Sequence, residues 1–510
     1  MEDVMHSGNN GHVVMLVNNP CVNDSRVIKS AEALVAGGWR VTVVCRHHET
    51  LPLHEERKGV TYHRVRSLPK NVKDLKTQVA SRSGGKKAFG SAARVMRALG
   101  EDLTSRVDQA SSASRAFAKR TFPSFLLSVS KYAYSKTVRA SRRARAAWTS
   151  VCSKSARTIR HVGTLKSKLK GEAKVFRGTA KKLILQPLKA VYWFHEMDEF
   201  ESATLQHILQ IRPDVVHCHD LSTLPTGASV AGRIGCALIY DSHELEMHRN
   251  ATYPEAVKRK RRRLEERNIV KADVVITVSE SIADHLRDDY RIPRPIVVLN
   301  SPDFEHTDEG HKTLRTDLHL GEDAPLAVYV GSVTINRGIE NVVRALPFME
   351  AVHFATVGPR RKETEKLLIE IAEELGVRDR LHLVDPVPPN DVVGYIRSAD
   401  VSVLPIQNVC LSYYYCMPNK LLESVFAGIP VAVANLIELR RFVEKTGCGL
   451  VMDETDPRSI AEAVASVIPR RGDFVVTGER LDQLIAEYSW AAQAERLRGV
   501  YRDLRRRTAR

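Results

Sequence analysis

The sequence lacks the features that would place a chain across a membrane. It contains no run of about 18 consecutive apolar residues, so we predict no transmembrane helix. The first segment, Met1 to His12, is polar and has no apolar stretch, so we expect no secretory signal. With 510 residues and a hydrophobic fraction of 43%, the chain is long enough for two α/β domains with ordinary cores.

Cysteine pairs and closely spaced acidic pairs are also missing. None of the eight cysteines forms a C-x-x-C pair, and several lie inside apolar runs. We interpret them as buried free thiols in a reducing compartment, the cytoplasm. No Asp-x-Asp occurs, which argues against a diphosphate held through a carboxylate-bound divalent cation. We therefore predict no metal ion and no cofactor.

The positive charge is concentrated in one segment. Residues 71–190 carry 28 Lys and Arg against 5 Asp and Glu, a net charge of +23, whereas the whole chain carries +17. The rest of the chain therefore has a net charge of −6. This pattern indicates an acidic protein with a basic insert.

Outside that segment, short apolar strands alternate with amphipathic helices. Such strands suit parallel sheets covered on both faces, and ligands bind such sheets at the carboxyl ends of the strands. We predict an α/β protein of two facing Rossmann-like domains, with a basic, mainly helical insert in the first. The predicted strands are 12–17, 40–45, 214–218, 237–240, 273–278 and 296–299, then 326–330, 352–357, 381–384, 401–404 and 431–434. The predicted limits are 1–70 and 201–305 for the first domain, 71–200 for the insert, 306–485 for the second domain and 486–510 for a terminal crossover helix.

The strongest local motif runs from Met417 to Val431. Pro418 suits the first position of a helix and Gly428 suits its exit. Free amides at the start of the helix favour an anion, Lys420 adds a positive charge, and Glu423 lies on the same face as Asn419. These are the groups that a nucleoside diphosphate requires. The alternative is a capped surface helix with a solvated Lys and Glu.

A second motif, from Val330 to Glu340, reads as a strand, a polar loop and a helix. Gly331 lets the backbone approach a ligand, and Arg337 can bind phosphate oxygens. The pattern is neither G-x-G-x-x-G nor a P-loop, so an ordinary helix-capping loop is the alternative.

Two further motifs follow strands of the first domain. His217-Cys218-His219-Asp220 could suggest a metal, but no third ligand is obvious, and hydrogen bonding in a cleft fits better. The second motif runs from Tyr240 to Leu245 and includes His243 and Glu244; its alternative interpretation is a helix N-cap.

Taken together, these motifs resemble the family-four retaining glycosyltransferases of the GT-B fold, over about residues 12–66 and 205–503. Their order and spacing carry the resemblance. The matching segments are 24–26, 213–220, 240–244, 272–279, 330–331 with 337–338, and 418–423 with 428–431.

The resemblance implies a sugar donor on the second domain and an acceptor on the first. It implies catalytic roles for His219, Arg337 and Lys420. The implied donor-binding residues are Gly331, Ser332, Arg337, Tyr415, Asn419, Lys420 and Glu423. The implied acceptor or cleft residues are Asp24, Arg26, Asp220, His243 and Glu244.

The sequence departs from the family pattern at two positions. Tyr415 stands eight residues before Glu423, where the family has a second carboxylate, and Ser332 stands where a basic residue often follows the strand-end glycine. Lys420 would then supply the missing positive charge.

The function implied is transfer of a sugar from a nucleoside-diphosphate sugar to a glycan or lipid-linked acceptor, with retention, in cell-surface polysaccharide or glycolipid synthesis. Two alternatives remain. A non-catalytic partner protein that kept the fold is favoured by Tyr415. A sugar-nucleotide epimerase would act on a UDP-sugar without an acceptor.

The basic segment has three interpretations. Seven apolar residues at helical spacing lie between Val162 and Leu183, surrounded by lysines, as in a helix that lies on an anionic membrane surface. This interpretation would place the enzyme peripherally at the inner face of the cell membrane. Nucleic acid is not expected, because aromatic residues are sparse there. The third interpretation is a partly ordered helical hairpin whose charge is solvated.

Flotation with vesicles tests the membrane interpretation. We expect the full chain to float with vesicles that contain anionic lipid and to stay in the dense fraction with neutral vesicles, because the lysines require negative headgroups. Equal binding to both kinds of vesicle, or binding to neither, would exclude this interpretation.

Overall fold

The computed structural model describes residues 10–22, 24–65, 196–304 and 312–508. The basic segment 71–190, including the apolar stripe between Val162 and Leu183, lies outside the described residues, as does most of Met1 to His12. In the described part of the chain, no helix is long and apolar enough to span a bilayer.

The first domain is built on an eight-stranded sheet. Its strands are β1 (His12–Leu16), β2 (Arg40–Arg46), β3 (His54–Arg57), β4 (Val60–Val65), β5 (Val215–His219), β6 (Ala237–Ser242), β7 (Val274–Thr277) and β8 (Ile296–Val297). They lie in the order β3-β4-β2-β1-β5-β6-β7-β8, and all described pairs are parallel except β3 with β4. The helices are α1 (Ser25–Ala36), α2 (196–211), α3 (Leu224–Ile234), α4 (Glu255–Ile269) and α5 (Glu280–Tyr290).

The second domain is built on a six-stranded parallel sheet of order β11-β10-β9-β12-β13-β14. Its strands are β9 (Leu326–Val330), β10 (His353–Val357), β11 (Leu381–Val384), β12 (Val401–Leu404), β13 (Val431–Ala434) and β14 (Gly449–Met452). Its helices are α6 (Leu314–Asp317), α7 (Ile339–Ala345), α8 (Lys362–Glu374), α9 (Val392–Ile396), α10 (Leu411–Tyr414), α11 (Asn419–Phe426), α12 (Ile437–Thr446), α13 (Pro457–Val467), α14 (Arg471–Phe474) and α15 (Gly478–Tyr488). The predicted fold of two parallel-sheet domains is confirmed.

Each sheet is covered by helices on both faces, and this is why its strands are apolar without alternation. All five residues of β1 and all five of β9 are buried. Close packing on the first sheet requires a glycine in α3, because a Cβ at Gly227 would lie 2.1 Å from the sulfur of Cys218. Helix α2 crosses the predicted limit at residue 200, and its Met197 and Phe200 pack into the core of the first sheet.

The last helix, α16 (Trp490–Thr508), returns to the first domain. Leu497, Val500 and Leu504 are buried in the same core cluster as β1 and β2. Tyr501 is fully buried, packs edge-on against Trp39 with ring centroids 5.3 Å apart, and shares a 2.9 Å hydrogen bond with Nδ1 of His217. Helix α16 therefore completes the core of the first domain.

We expect Leu497→Ala to lower the free energy of unfolding by about 2–5 kcal/mol, because it leaves a cavity in a packed core. Leu497 is 1% exposed. Urea denaturation measures the change. Arg496→Ala, on the exposed side of the same helix, is the control; equal effects of the two substitutions would contradict the packing of α16 on the first domain.

Candidate active site

A cavity of about 640 Å³ lies between the two domains at the carboxyl ends of their strands. The first domain contributes the loop after β1 and the residues that follow β6, β7 and β8; the second contributes the loops after β9 and β12 and the start of α11. The lining residues are Asn19, Pro20, Val22, Asp24, Ser25, Arg26, His243, Glu244, Val278, Ile282, Asn300, Arg337, Ile406, Ser412, Tyr413, Cys416, Met417, Pro418 and Asn419.

Lys420 of α11 lies against a glycine in the loop after β9. Gly331 has a φ of +111°, and a Cβ at this position would lie 3.1 Å from Nζ of Lys420. The Lys420 ammonium donates a 2.8 Å hydrogen bond to the hydroxyl of Tyr329 and lies 4.1 Å from the centre of that ring. Gly331 thus leaves room for the lysine, whose position is fixed by a residue of β9.

Arg337 lines the cavity from the other end of the same loop. Its guanidinium lies 4.8 Å from the centre of the Tyr413 ring, which supports it by a cation–π contact. The following residue, Gly338, has a φ of +71°, and a Cβ there would lie 1.9 Å from the carbonyl oxygen of Pro405. Only glycine fits at this position, so the direction in which Arg337 leaves the backbone is fixed.

The charges of Arg337 and Lys420 both act on the thiol of Cys416, which lines the cavity. Burial raises the pKa of the Cys416 thiol to about 12, while the charges of Arg337 and Lys420 both oppose that rise. Pro418 precedes the first turn of α11 and provides no side-chain cap, so Pro418 and Asn419 present this helix start to the cavity. The second domain therefore presents Arg337 and a helix N-terminus to the cavity, with Lys420 close to the lining residue Cys416, an arrangement that suits an anion.

Glu423 lies one turn further along α11. It does not line the cavity. Burial raises the pKa of its carboxyl group, and the nearby charges of Lys420 and Lys29 oppose the rise. Lys29 belongs to α1, so Glu423 lies close to the junction of the two domains.

On the first domain, a buried ion pair organises the cavity wall. Arg26 binds both carboxylate oxygens of Asp241 at 2.8 Å and donates to the carbonyl oxygen of Val298 at 2.8 Å. Asp24 caps α1 by accepting from the amide of Val27, and it also accepts a 2.8 Å bond from Asn19. Arg26 is 3% exposed, so its contribution is mainly to hold α1 against β6.

The cleft histidine is His243 rather than His219. His219 is fully buried behind the cavity wall, and its Nδ1 shares a 3.1 Å hydrogen bond with Nε2 of His243, which does line the cavity. The predicted placement of His219 in the cleft is corrected here: as the last residue of β5 it lies under the edge of the sheet, and the residues after β6 cover it.

The histidines have opposite charge states. Burial and the neighbouring His217 lower the pKa of His219 to about 3, so it is neutral. Burial also disfavours the cation at His243, but Asp220 and Asp241 more than offset it and raise its pKa to about 9. Burial disfavours the charged form of Asp241, yet Arg26 and His243 hold its pKa well below its usual range.

His217, His219 and Asp241 have the donor types and the spacing of a metal site, and Nε2 of both histidines lacks a hydrogen-bond partner among the described residues. Asp241 is the third potential donor, and it lies outside the motif from His217 to Asp220. However, Arg26 already binds both oxygens of this carboxylate, and its positive charge opposes a second cation in a buried site. We assign no metal here.

Of the remaining predicted residues, only Glu244 lines the cavity. It forms a 2.6 Å ion pair with Arg249; burial raises the pKa of Glu244 and Arg249 opposes the rise. Asp220 lies behind His243, with its carboxylate 3.6 Å from Nδ1 of that ring. Ser332 is exposed and its carbonyl oxygen accepts from Tyr329.

Tyr415 does not line the cavity. Its side chain packs in the core cluster of the first domain, with its ring centroid 6.0 Å from that of His285. Cys416 lines the cavity instead, so the sugar-ring carboxylate of the family has no equivalent at this point of the wall. Tyr415 follows the short helix α10, and its side chain is turned away from the cavity. The spacing between Tyr415 and Glu423 in the sequence could not show this.

Thirteen of the 19 lining residues were not among the predicted site residues, and five of these are informative. Asn19 and Asn300 follow strands, Ile406 follows β12, and Tyr413 and Met417 flank the Tyr415 segment. The strand-end rule could have identified Asn19, Asn300 and Ile406, because each comes within a few residues of a parallel strand's carboxyl end.

Comparisons with known proteins agree with this geometry. A family model for group 1 glycosyl transferases matches residues 324–469, and a model for glycosyltransferase family 4 matches residues 176–302. An uncharacterized glycosyltransferase of Methanocaldococcus jannaschii is 25% identical over 57% of this chain and 75% of its own length. The D-inositol 3-phosphate glycosyltransferase of Thermobispora bispora is 26% identical over 57% of this chain and 71% of its own.

Solved structures share the fold across nearly the whole chain. The sucrose-phosphate synthase of Thermosynechococcus elongatus superposes with a TM-score of 0.61 at 15% identity, over 97% of this chain and 98% of the other. Anabaena HepE in complex with UDP and glucose superposes with a TM-score of 0.55 at 11% identity, over 97% and 100%. The two parallel-sheet domains and these structural neighbours define the GT-B fold, and the two family models show that the chain is a glycosyltransferase. Within that class, the chain belongs to glycosyltransferase family 4.

The charge on His243 should make stability depend on pH. Its folded pKa of about 9 lies above the unfolded value of 6.5, so its contribution is complete below pH 6.5 and is lost as the pH rises through 9. We expect this group to lower the unfolding free energy by at most about 1.4 kcal/mol per pH unit in that window.

Urea denaturation at pH 6.5, 8 and 9.5 checks this expectation. His243→Gln should lack this part of the fall, whereas His48→Gln, at an exposed position in the first domain, should behave as the wild type. A wild-type slope in the His243 variant would show that this residue is not charged in the folded protein.

Proposed function

We propose that this glycosyltransferase takes its sugar from a nucleoside-diphosphate donor bound to the second domain. The observation that carries the proposal is the wall formed by Arg337 and the start of α11, with Lys420 close to the lining residue Cys416. HepE of Anabaena, which shares the fold, has been solved with UDP and with UDP-glucose. A nucleoside diphosphate provides the negative charge that such a wall favours.

The chemistry proposed is loss of the nucleoside diphosphate as the sugar leaves. Negative charge grows on the bridging oxygen in the transition state, and Arg337, Lys420 and the amides of α11 neutralise it without a metal ion. The proposed donor-binding residues are Arg337 and Asn419, which line the cavity, and Gly331, Ser332, Lys420 and Glu423, which do not; Cys416 replaces Tyr415 at the cavity wall. Retention of the anomeric configuration is proposed from membership of the family.

The acceptor is proposed to enter along the first domain, past Asp24, His243 and Glu244. Two carboxylates suit the hydroxyl groups of a sugar or polyol, since they accept hydrogen bonds. His243, which the network of Asp220 and Asp241 holds as a cation, faces the reacting centre in place of His219. We propose a glycan or lipid-linked acceptor in cell-surface polysaccharide or glycolipid synthesis. The basic segment 71–190 would hold the enzyme at the inner face of an anionic membrane.

A thermal-shift panel tests the donor. We expect one of the UDP, GDP, ADP or TDP sugars to raise the melting temperature of the wild type, because a ligand that binds the folded state stabilises it. Arg337→Ala should abolish most of that shift. Arg344→Ala, an exposed arginine seven residues later on α7, should keep it.

The outcomes also separate the alternatives. A panel in which no sugar nucleotide stabilises the wild type would reject the donor proposal and favour a non-catalytic partner protein. Turnover of a UDP-sugar to an epimer or to free sugar, with no dependence on any acceptor, would favour a sugar-nucleotide epimerase.

A further inference from the structure

The start of α5, in the first domain, forms hydrogen bonds with the second domain. Ser279 caps this helix, since its hydroxyl oxygen accepts from the amide of Ile282 at 3.3 Å. Ser279 and Ser281 are 1% and 7% exposed. Val278 and Ile282, on either side of the cap, line the cavity.

A carboxylate of the second domain completes the cap. Glu438, in the first turn of α12, accepts a 3.0 Å hydrogen bond from the amide of Ser281 and a second bond from its hydroxyl. Arg441 lies 3.4 Å from the same carboxylate oxygen and 3.2 Å from the Ser281 hydroxyl. Because Glu438 is 9% exposed, this is a nearly dry, charge-assisted contact.

The same helix cap also holds the backbone that leads into the donor wall. The Ser279 hydroxyl donates a 2.7 Å hydrogen bond to the carbonyl oxygen of Tyr415. Residues 416–419, which follow directly, all line the cavity. Another hydrogen bond joins the domains near the start of α10. It runs from the amide of Leu245 to the hydroxyl of Ser412 at 3.1 Å.

Helix geometry gives this contact its strength. The first amides of a helix have no partner within it, and the helix dipole favours a negative charge there. Glu438 lies in the first turn of its own helix, and its carboxylate accepts a hydrogen bond from the first turn of α5. Opening the cleft would separate the carboxylate from the Ser281 amide and leave both groups to water.

We propose that Glu438 is a positioning residue, which caps α5 across the domain junction and thereby sets the position of residues 416–419 on the donor wall. Glu438 does not line the cavity and does not touch the donor. Its effect passes through α5 and the Tyr415 carbonyl. This inference rests on the proposed function for its kinetic consequence, but not for the contact itself.

Hydrogen exchange measures the contact directly. In Glu438→Ala, the amides of Ser281 and Ile282 should exchange about tenfold faster than in the wild type, the size expected for loss of a hydrogen bond to a charged group. Glu444→Ala is the matched control, since Glu444 lies on the same helix and is exposed. Equal exchange in the two variants would overturn the proposal.

Kinetics then distinguish positioning from a structural role. Glu438→Ala should raise KM for the nucleotide sugar about tenfold while its melting temperature stays near that of Glu444→Ala. Glu438→Gln keeps an acceptor oxygen, so it should restore most of the wild-type exchange rate and of the wild-type KM. It also replaces the alanine variant if that variant does not fold. Faster exchange with an unchanged KM would overturn the positioning role, whereas absence of any nucleotide-sugar turnover in the wild type would reject the proposed function and leave exchange to decide the contact.

Discussion

The cavity side of the first domain depends on one buried carboxylate. Asp241 is 1% exposed, and a buried charge is tolerated only when it is paired and hydrogen-bonded. Arg26 supplies the pairing from α1, and it also bonds the backbone after β8. One ion pair therefore joins three elements that are distant in sequence, and His243 takes its position and its charge from the same group.

The two walls of the cavity differ in how their charges are held. On the first domain, the charged groups form a network in which Arg26 and His243 balance Asp241 and Asp220. On the second domain, Arg337 and Lys420 rest on tyrosine rings rather than on carboxylates. An aromatic ring steadies a cation without neutralising it, so this wall retains a positive field for an anionic ligand.

The fold could be predicted because the strands are apolar throughout and the helices between them are amphipathic. Helix α1 begins and ends at signals that are visible in the sequence, since Asp24 caps its start and Gly37 follows its end. Strands β9, β11, β12 and β13 were placed at their observed limits. The predicted strands do not include β3, β4 or β14; β3 is a short edge strand of polar residues, β4 alternates buried and exposed residues at its start, and β14 has a glycine at its start.

The site was harder to predict because side-chain direction depends on tertiary contacts. Arg337 and Asn419 were placed on the cavity by strand-end and helix-start signals, which are local. His219 and Tyr415 could not be placed in this way. His219 is buried by the residues after β6, and Tyr415 packs in a core of the opposite domain. Asp241 as the hub of the network could not be identified from local sequence, since Arg26 is 215 positions away.

The return of α16 to the first sheet has a consequence for synthesis on the ribosome. The core cluster of β1 and β2 includes Leu497, Val500, Tyr501 and Leu504, so it stays incomplete until α16 has left the exit tunnel. The second domain is made before the first can close its core. Full burial of β1 and β2 therefore follows synthesis of the second domain, and a fragment that ends before residue 490 would leave this apolar surface open to water.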